Sequence, residues 1–170
     1  MSSFLSHEDL DLVPIEREDL NLLKNWRNDP ELRSRTREWR ALTNEDQERW
    51  FKVITDPNRN NHMFLCRYAG VPVGVVGLCN WNFHSRNAEV SFYIGDKESR
   101  GKGIMTTALE LLIGWGFNQG LHRISAEVYQ FNVPCINLLK KLGFSQEGIL
   151  RDNVFRDGHF VDSLLMALIK

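Results

Sequence analysis

Ser99-Arg100-Gly101-Lys102-Gly103-Ile104-Met105-Thr106 follows an alternating run, Asn87-Ala88-Glu89-Val90-Ser91-Phe92-Tyr93-Ile94, and opens an apolar-periodic segment that ends near Gln119. A strand, a glycine-rich turn and a helix start, in that order, make an anion site. The first-turn N–H groups of a helix lack partners and carry the positive end of its dipole. Glycines let a phosphate come close to that backbone. The turn reads as the seat of a phosphorylated cofactor.

Spacing narrows the choice. The dinucleotide fingerprint requires three glycines as G-x-G-x-x-G, and the third place falls on Thr106. The ATP/GTP loop requires Gly-Lys-Ser/Thr, and Gly101-Lys102 is followed by Gly103. Neither template fits. Arg/Gln-x-x-Gly-x-Gly/Ala does fit, as Arg100-x-x-Gly103-x-Met105, with Met105 departing from the usual small residue.

Two further segments follow in order. Asn132-Val133-Pro134-Cys135-Ile136-Asn137-Leu138-Leu139-Lys140-Lys141-Leu142-Gly143-Phe144 reads as a helix with an early proline and a glycine stop. Phe155-Arg156-Asp157-Gly158-His159-Phe160 is an Asp-Gly hairpin between apolar runs. In register with the glycine loop, these segments resemble the GNAT superfamily of N-acetyltransferases. The resemblance covers nearly the whole chain. It lies nearest the branch of ribosomal-protein alanine, spermidine and nucleotide-amino-sugar acetyltransferases.

Composition sets bounds. At 170 residues the chain suits one domain, 1–170, with a real core. Its 21 basic residues against 22 acidic ones give no sign of a bulk nucleic-acid binder. Cys66, Cys79 and Cys135 are odd in number and sit at no metal spacing, which suits reduced, buried thiols in a cytoplasmic protein. The histidines at 62, 122 and 159 lack metal spacing too, so no metal is expected. Met1 to Glu8 has neither a basic region nor a long apolar run, and reads as no signal peptide. No charge-free segment approaches membrane-spanning length, and no membrane partner is expected.

Strands and helices alternate along the chain. Strands are expected at Leu10–Pro14, Met63–Tyr68, Val71–Asn80, Asn87–Ile94, Arg123–Tyr129, Ser145–Arg151 and Phe160–Leu168. Helices are expected at Glu18–Asn28, after the Thr43-x-x-Asp46 capping signal, at Gly103–Gln119 and after Asn132. The pattern predicts an α/β fold. The resemblance refines it to a mixed, mostly antiparallel central sheet, flanked by helices, whose central strands splay.

The resemblance implies acetyl-CoA as cofactor and direct transfer of its acetyl group to an amine. Arg100, Gly101, Lys102, Gly103, Ile104, Met105 and Thr106 would hold the pyrophosphate. Backbone groups of Phe92, Tyr93 and Ile94 would bind the pantetheine arm, with Asn132, Asn137 and Lys140 as further cofactor contacts. One strand N–H would polarise the thioester carbonyl, where charge develops. Glu89 is the candidate general base. Alternation puts it on one face with Ser91 and Tyr93, and desolvation near the centre of an apolar strand would raise its proton affinity. The competing role is a structural carboxylate paired with Arg86 or Arg123. Leu139 stands where many family members place the tyrosine that protonates the leaving thiolate, which leaves a non-catalytic acyl-CoA-binding module open as a reading from another class. Tyr93 is a candidate stand-in. Cys135, with no histidine to activate it, reads as a small packing residue.

The acceptor is read from the first half. Trp26-Arg27-Asn28 looks like the opening of enzymes acting on nucleotide-linked amino sugars, and Trp39 follows. Aromatic and arginine side chains suit a base and a diphosphate. Trp26, Arg27, Arg33, Trp39 and His84 are therefore candidate acceptor residues, with Arg35, Arg37 and Arg40 completing a basic cluster. Trp26 as a core anchor and His84 as an exposed loop residue are the plainer roles. His84-Ser85-Arg86-Asn87-Ala88-Glu89 also resembles a stretch of the spermidine-type enzymes, which keeps a polyamine acceptor open. That activity wants an acidic acceptor site, and Glu45-Asp46-Glu48 is explained by helix capping. The N-terminus of a ribosomal protein is the third acceptor reading. A homodimer is an open expectation.

Overall fold

The computed structural model describes residues 4–170. Met1–Ser3, where the stretch read as lacking a signal peptide begins, lie outside the described residues. The chain runs β1 (Leu5–His7), β2 (Leu10–Pro14), α1 (Leu20–Asn28), α2 (Pro30–Arg33), α3 (Asn44–Thr55), β3 (His62–Tyr68) and β4 (Val71–Asn82). It continues through β5 (Asn87–Ile94), α4 (Ile104–Asn118), β6 (Arg123–Tyr129), α5 (Val133–Lys141), β7 (Ser145–Arg156) and β8 (His159–Ile169). The strands form one sheet in the order β1-β2-β3-β4-β5-β6-β8-β7. β5 and β6 pair parallel and the other neighbours antiparallel, so the mixed, mostly antiparallel sheet expected from the sequence is the fold.

Strand alternation sorts side chains between two cores. Phe64, Cys66, Val76 and Leu78 join Ile104, Met105, Ala108, Leu109 and Leu112 of α4 on one face. Leu65 and Val75 join Leu20 and Leu23 of α1 and Ile54 of α3 on the other. α3 starts at the expected capping box: Asp46 N–H donates to Thr43 Oγ1 at 3.1 Å, and Thr43 N–H donates to Asp46 Oδ2 at 2.8 Å.

Several elements depart from expectation. β1 adds an edge strand. A 3-10 turn, Arg17–Asp19, replaces the expected first turn of α1. Pro30 cannot donate to α1, so the chain restarts there as α2, with Asp29 Oδ1 accepting from Glu31 N–H at 3.0 Å. β7 runs on to Arg156 because a register shift between Leu150 and Val154 absorbs the polar residues between them.

The decisive irregularity is at the centre. β5 and β6 pair only from Asn87–Arg123 to Glu89–Ser125. Beyond that point β5 stays with β4 as far as Ile94, and β6 stays with β8 as far as Tyr129. The two strands therefore part just after Glu89, leaving two open edges inside the sheet.

Candidate active site

The open edge of β5 carries free backbone groups at alternate residues. Gly95 N–H donates to Val73 O of β4 at 3.0 Å, while Ile94 O faces away and meets Arg100 Nη2 at 3.5 Å. By antiparallel alternation, Phe92 and Ile94 present N–H and C=O to the gap, and Tyr93 turns its own to β4. This corrects the expectation for Tyr93, whose backbone is spent within the sheet.

Below that edge lies a cleft of about 520 Å3 between β5, the glycine turn and α5. Gly101 and Gly103 have φ of +74° and +80°, a region that costs other residues energy, and a Cβ on either would meet nothing within 4 Å. Gly103 thereby turns the chain into α4. Among the described residues, no group accepts from the N–H groups of Gly101 to Met105, which leaves a cluster of unpaired donors at the positive end of the helix.

Phe92, Tyr93, Ile94, Arg100, Gly101, Gly103, Met105, Thr106, Asn132 and Asn137 all line this cleft. Lys102, Ile104 and Lys140 do not. Ile104 is buried in the α4 core, and Lys102 and Lys140 point to solvent. Lys141 takes the place expected for Lys140, because it is four residues on from Asn137 and shares its helix face. Glu31, Leu32, Arg35 and Thr36 close the far wall, with Arg100 Nη1 donating to Glu31 Oε2 at 2.8 Å.

A second cleft, of about 960 Å3, lies behind that wall, lined by Arg33, Arg37, Trp39, Glu127, Tyr129, Asn153 and Arg156 among others. Arg33 and Trp39 are thus the candidate acceptor residues that reach it. Arg27 lines a separate cavity of about 340 Å3, its guanidinium 5.6 Å from the Tyr93 ring centre. Trp26 fills the core beside Gly95: a Cβ there would lie 1.9 Å from the indole Cδ2. His84 sits exposed in the turn between β4 and β5 and lines none of these cavities.

Glu89 stands where β5 and β6 part. Its Oε1 accepts from Arg37 Nη2 at 2.5 Å, and the same nitrogen donates to Glu127 Oε2 at 3.1 Å. Burial pulls the Arg37 guanidinium down, but the hydrogen bond to Glu89 and the charges of both glutamates carry it above its ordinary value. The lone desolvated carboxylate expected from the sequence is instead one of a cation-bridged pair. Arg86 and Arg123, its expected partners, are engaged elsewhere, with Gly120 O and Glu147. Glu127 is, with Lys141, a site residue that the sequence reading does not single out. Its signal was present: two residues beyond Ser125, alternation puts it on the face that Glu89 shares.

The proton donors are few. Leu139 is fully buried on the inner face of α5. Tyr93 packs edge-on to Trp26, and burial pushes its hydroxyl far up. The Cys135 thiol, at the cleft, is pushed up to about 12 by burial, which leaves it a packing group rather than a nucleophile. Among the described residues, no cluster suited to a metal ion occurs, and no helix is long and apolar enough to cross a membrane.

The chain is similar in sequence and fold to known proteins. The profile of the acetyltransferase (GNAT) domain matches residues 9–145. An uncharacterised N-acetyltransferase, p20 of Bacillus licheniformis, is 30% identical over 169 residues, covering 96% of this chain and 94% of that protein. The spermidine N(1)-acetyltransferase of Escherichia coli K12 is 29% identical over 94% of this chain and 85% of its own. A spermidine N-acetyltransferase from Vibrio cholerae, solved in complex with CoA and spermine, superposes with a TM-score of 0.86 at 25% identity over 96% of each chain. The chain belongs to the GNAT family of acetyltransferases, with acetyl-CoA as its acyl donor.

Proposed function

We propose that the chain transfers the acetyl group of acetyl-CoA directly to the primary amine of a small molecule that reaches Glu89 from the second cleft. The observation that carries this reading is the parting of β5 and β6 at Glu89, with a cleft on either side of the segment Pro30–Trp39.

The first cleft fits the donor. Unpaired N–H groups from Gly101 to Met105 suit a pyrophosphate, and the open edge at Phe92 and Ile94 suits an amide-bearing arm laid down like a strand. Bound there, acetyl-CoA supplies an acetyl thioester. A free N–H on the β5 edge would polarise its carbonyl. The Glu89 carboxylate would take one proton from the ammonium form of the amine, which frees the nitrogen lone pair, and water in the cleft would take the second as the C–N bond forms and the C–S bond breaks. Buried Leu139 offers no proton to the departing sulfur, and solvent in the open cleft supplies it instead.

The second cleft argues for a basic amine over a nucleotide-linked amino sugar. Of its arginines, Arg37 is taken by two carboxylates and Arg156 by the carbonyls of Thr36 and Arg37 at 3.2 and 3.3 Å. Only Arg33 is left for a diphosphate, while Glu127 adds an acid to the site. The spermidine acetyltransferases among its relatives point the same way.

The test is CoA-thiol release from acetyl-CoA against spermidine, simple alkylamines, nucleotide amino sugars and N-terminal peptides, with Glu89→Gln alongside. Turnover on a basic amine that Glu89→Gln loses, with acetyl-CoA still bound, supports the proposal. Stoichiometric acetyl-CoA binding with no turnover on any amine leaves the non-catalytic module.

A further inference from the structure

Resting on the acetyltransferase site proposed above, we infer that Glu89 and Glu127 form a seat for the acceptor's ammonium group, and that Arg37 fills this seat from within the chain until a basic aliphatic amine displaces it. The acceptor class follows from the seat's chemistry. An alkylamine, with a pKa near that of lysine at about 10.4, arrives charged, whereas an α-amine at about 7.7–8.0 arrives only partly so.

The contacts made by Arg37 are those of a point charge. Arginine commonly grips a carboxylate with two nitrogens in parallel. Here a single nitrogen, Nη2, meets both carboxylates, and among the described residues no other Arg37 side-chain nitrogen makes a hydrogen bond. One nitrogen donating in two directions is what an ammonium offers, with three donors on one atom. The guanidinium therefore uses the seat poorly, and a primary ammonium matches it better.

The carboxylates are the fixed part and the guanidinium the removable part. Glu89 and Glu127 side chains are 24% and 20% exposed, whereas Arg37 is 58% exposed. Asn153 Nδ2 donates to Glu127 Oε1 at 2.9 Å and to Ser163 Oγ at 3.0 Å, which braces Glu127 from behind. Asn80 Nδ2 meets Glu89 Oε2 at 3.4 Å. Two carboxylates held this way repel each other unless a cation lies between them, so the seat is filled either by Arg37 or by the acceptor. Arg37 belongs to the irregular stretch between α2 and α3. Arg156 tethers its main-chain carbonyl, which leaves the side chain free to swing aside while the backbone stays.

Binding of n-propylamine and spermidine to the CoA-loaded protein by calorimetry, with thiol-release kinetics beside it, tests this. Arg37→Gln is expected to tighten amine binding and lower the amine KM about tenfold, the scale of one charged hydrogen bond, with acetyl-CoA affinity unchanged. Arg37→Lys, which keeps a single-nitrogen cation, is expected to raise the KM above that of the unaltered protein. Glu127→Gln is expected to raise it about tenfold, and adding Arg37→Gln to it to recover little. Weaker or unchanged amine binding in Arg37→Gln, or the same response in Arg37→Lys, overturns the inference and makes Arg37 a brace. Loss of acetyl-CoA binding in the unaltered protein defeats the acetyltransferase site itself, a different failure that calorimetry with the amine alone separates from the seat's.

Discussion

Along Pro30–Trp39, Glu31, Leu32, Arg35 and Thr36 face the first cleft, while Pro30, Arg33, Ser34, Arg37 and Trp39 face the second. One short stretch walls both, yet the two clefts are built differently. Apart from that wall and the α5 region, the first is mostly backbone: a strand edge, a glycine turn and the start of α4, within Phe92–Thr106. The second is mostly side chains, brought from the 30–39 segment, β6 and β7. Backbone sites tolerate side-chain drift, and side-chain sites change with each substitution. A common donor and a variable acceptor are what such a division serves.

The largest effect is expected where Trp26 of α1 packs against the end of β5. Gly95→Ala drives a methyl into the Trp26 ring, and overpacking of this kind costs about 3 kcal/mol. Thermal unfolding should show the loss, and an unchanged midpoint would mean that α1 gives way freely. Next, Gly103→Val forces a branched side chain into φ +80°. At about 1.4 kcal/mol of strain, acetyl-CoA affinity should fall about tenfold by calorimetry. An equal rise in amine KM would erase the distinction between the clefts. Arg156→Gln releases the carbonyls of Thr36 and Arg37 and should change the amine KM by about threefold, on the scale of an ordinary hydrogen bond. Acetyl-CoA affinity should hold, and a matching change in it would join the two clefts into one unit.

The smallest effect concerns the capping box of α3. The Asp46 carboxyl is held down to about 2, first by the Thr43 N–H and then by the Thr43 hydroxyl. Because the folded value is depressed below 3.8, its stabilisation is present above that pH and is lost as pH falls toward 2. Asp46→Asn should flatten this part of the acid unfolding curve. A curve of unchanged slope would assign the acid sensitivity to other carboxylates.

The donor cleft was largely legible before the structure because its parts are local. Arg100-x-x-Gly103 and the Asn132 segment act through turn and helix geometry that neighbouring residues specify. Two of the misreadings there, Lys140 for Lys141 and the backbone of Tyr93, are errors of phase by one residue. In the acceptor half the outcome rests on contacts distant in sequence. Trp26 was a packing residue because Gly95, far along the chain, leaves room for its ring. His84 is left outside by the turn it sits in. Arg37 carried a plain signal as a member of a basic cluster, but its partners lie 52 and 90 residues away.

By itself, the sequence determined most of the strands and helices and the glycine turn at the start of α4, since periodicity and turn chemistry act between near neighbours, and its motifs carried the family resemblance. Only the tertiary structure decided that β5 and β6 part at Glu89 and that Glu127 stands beside it with Arg37 between them. Strand pairing and charge pairing join residues that no local pattern links, and their geometry exists only once the chain has folded.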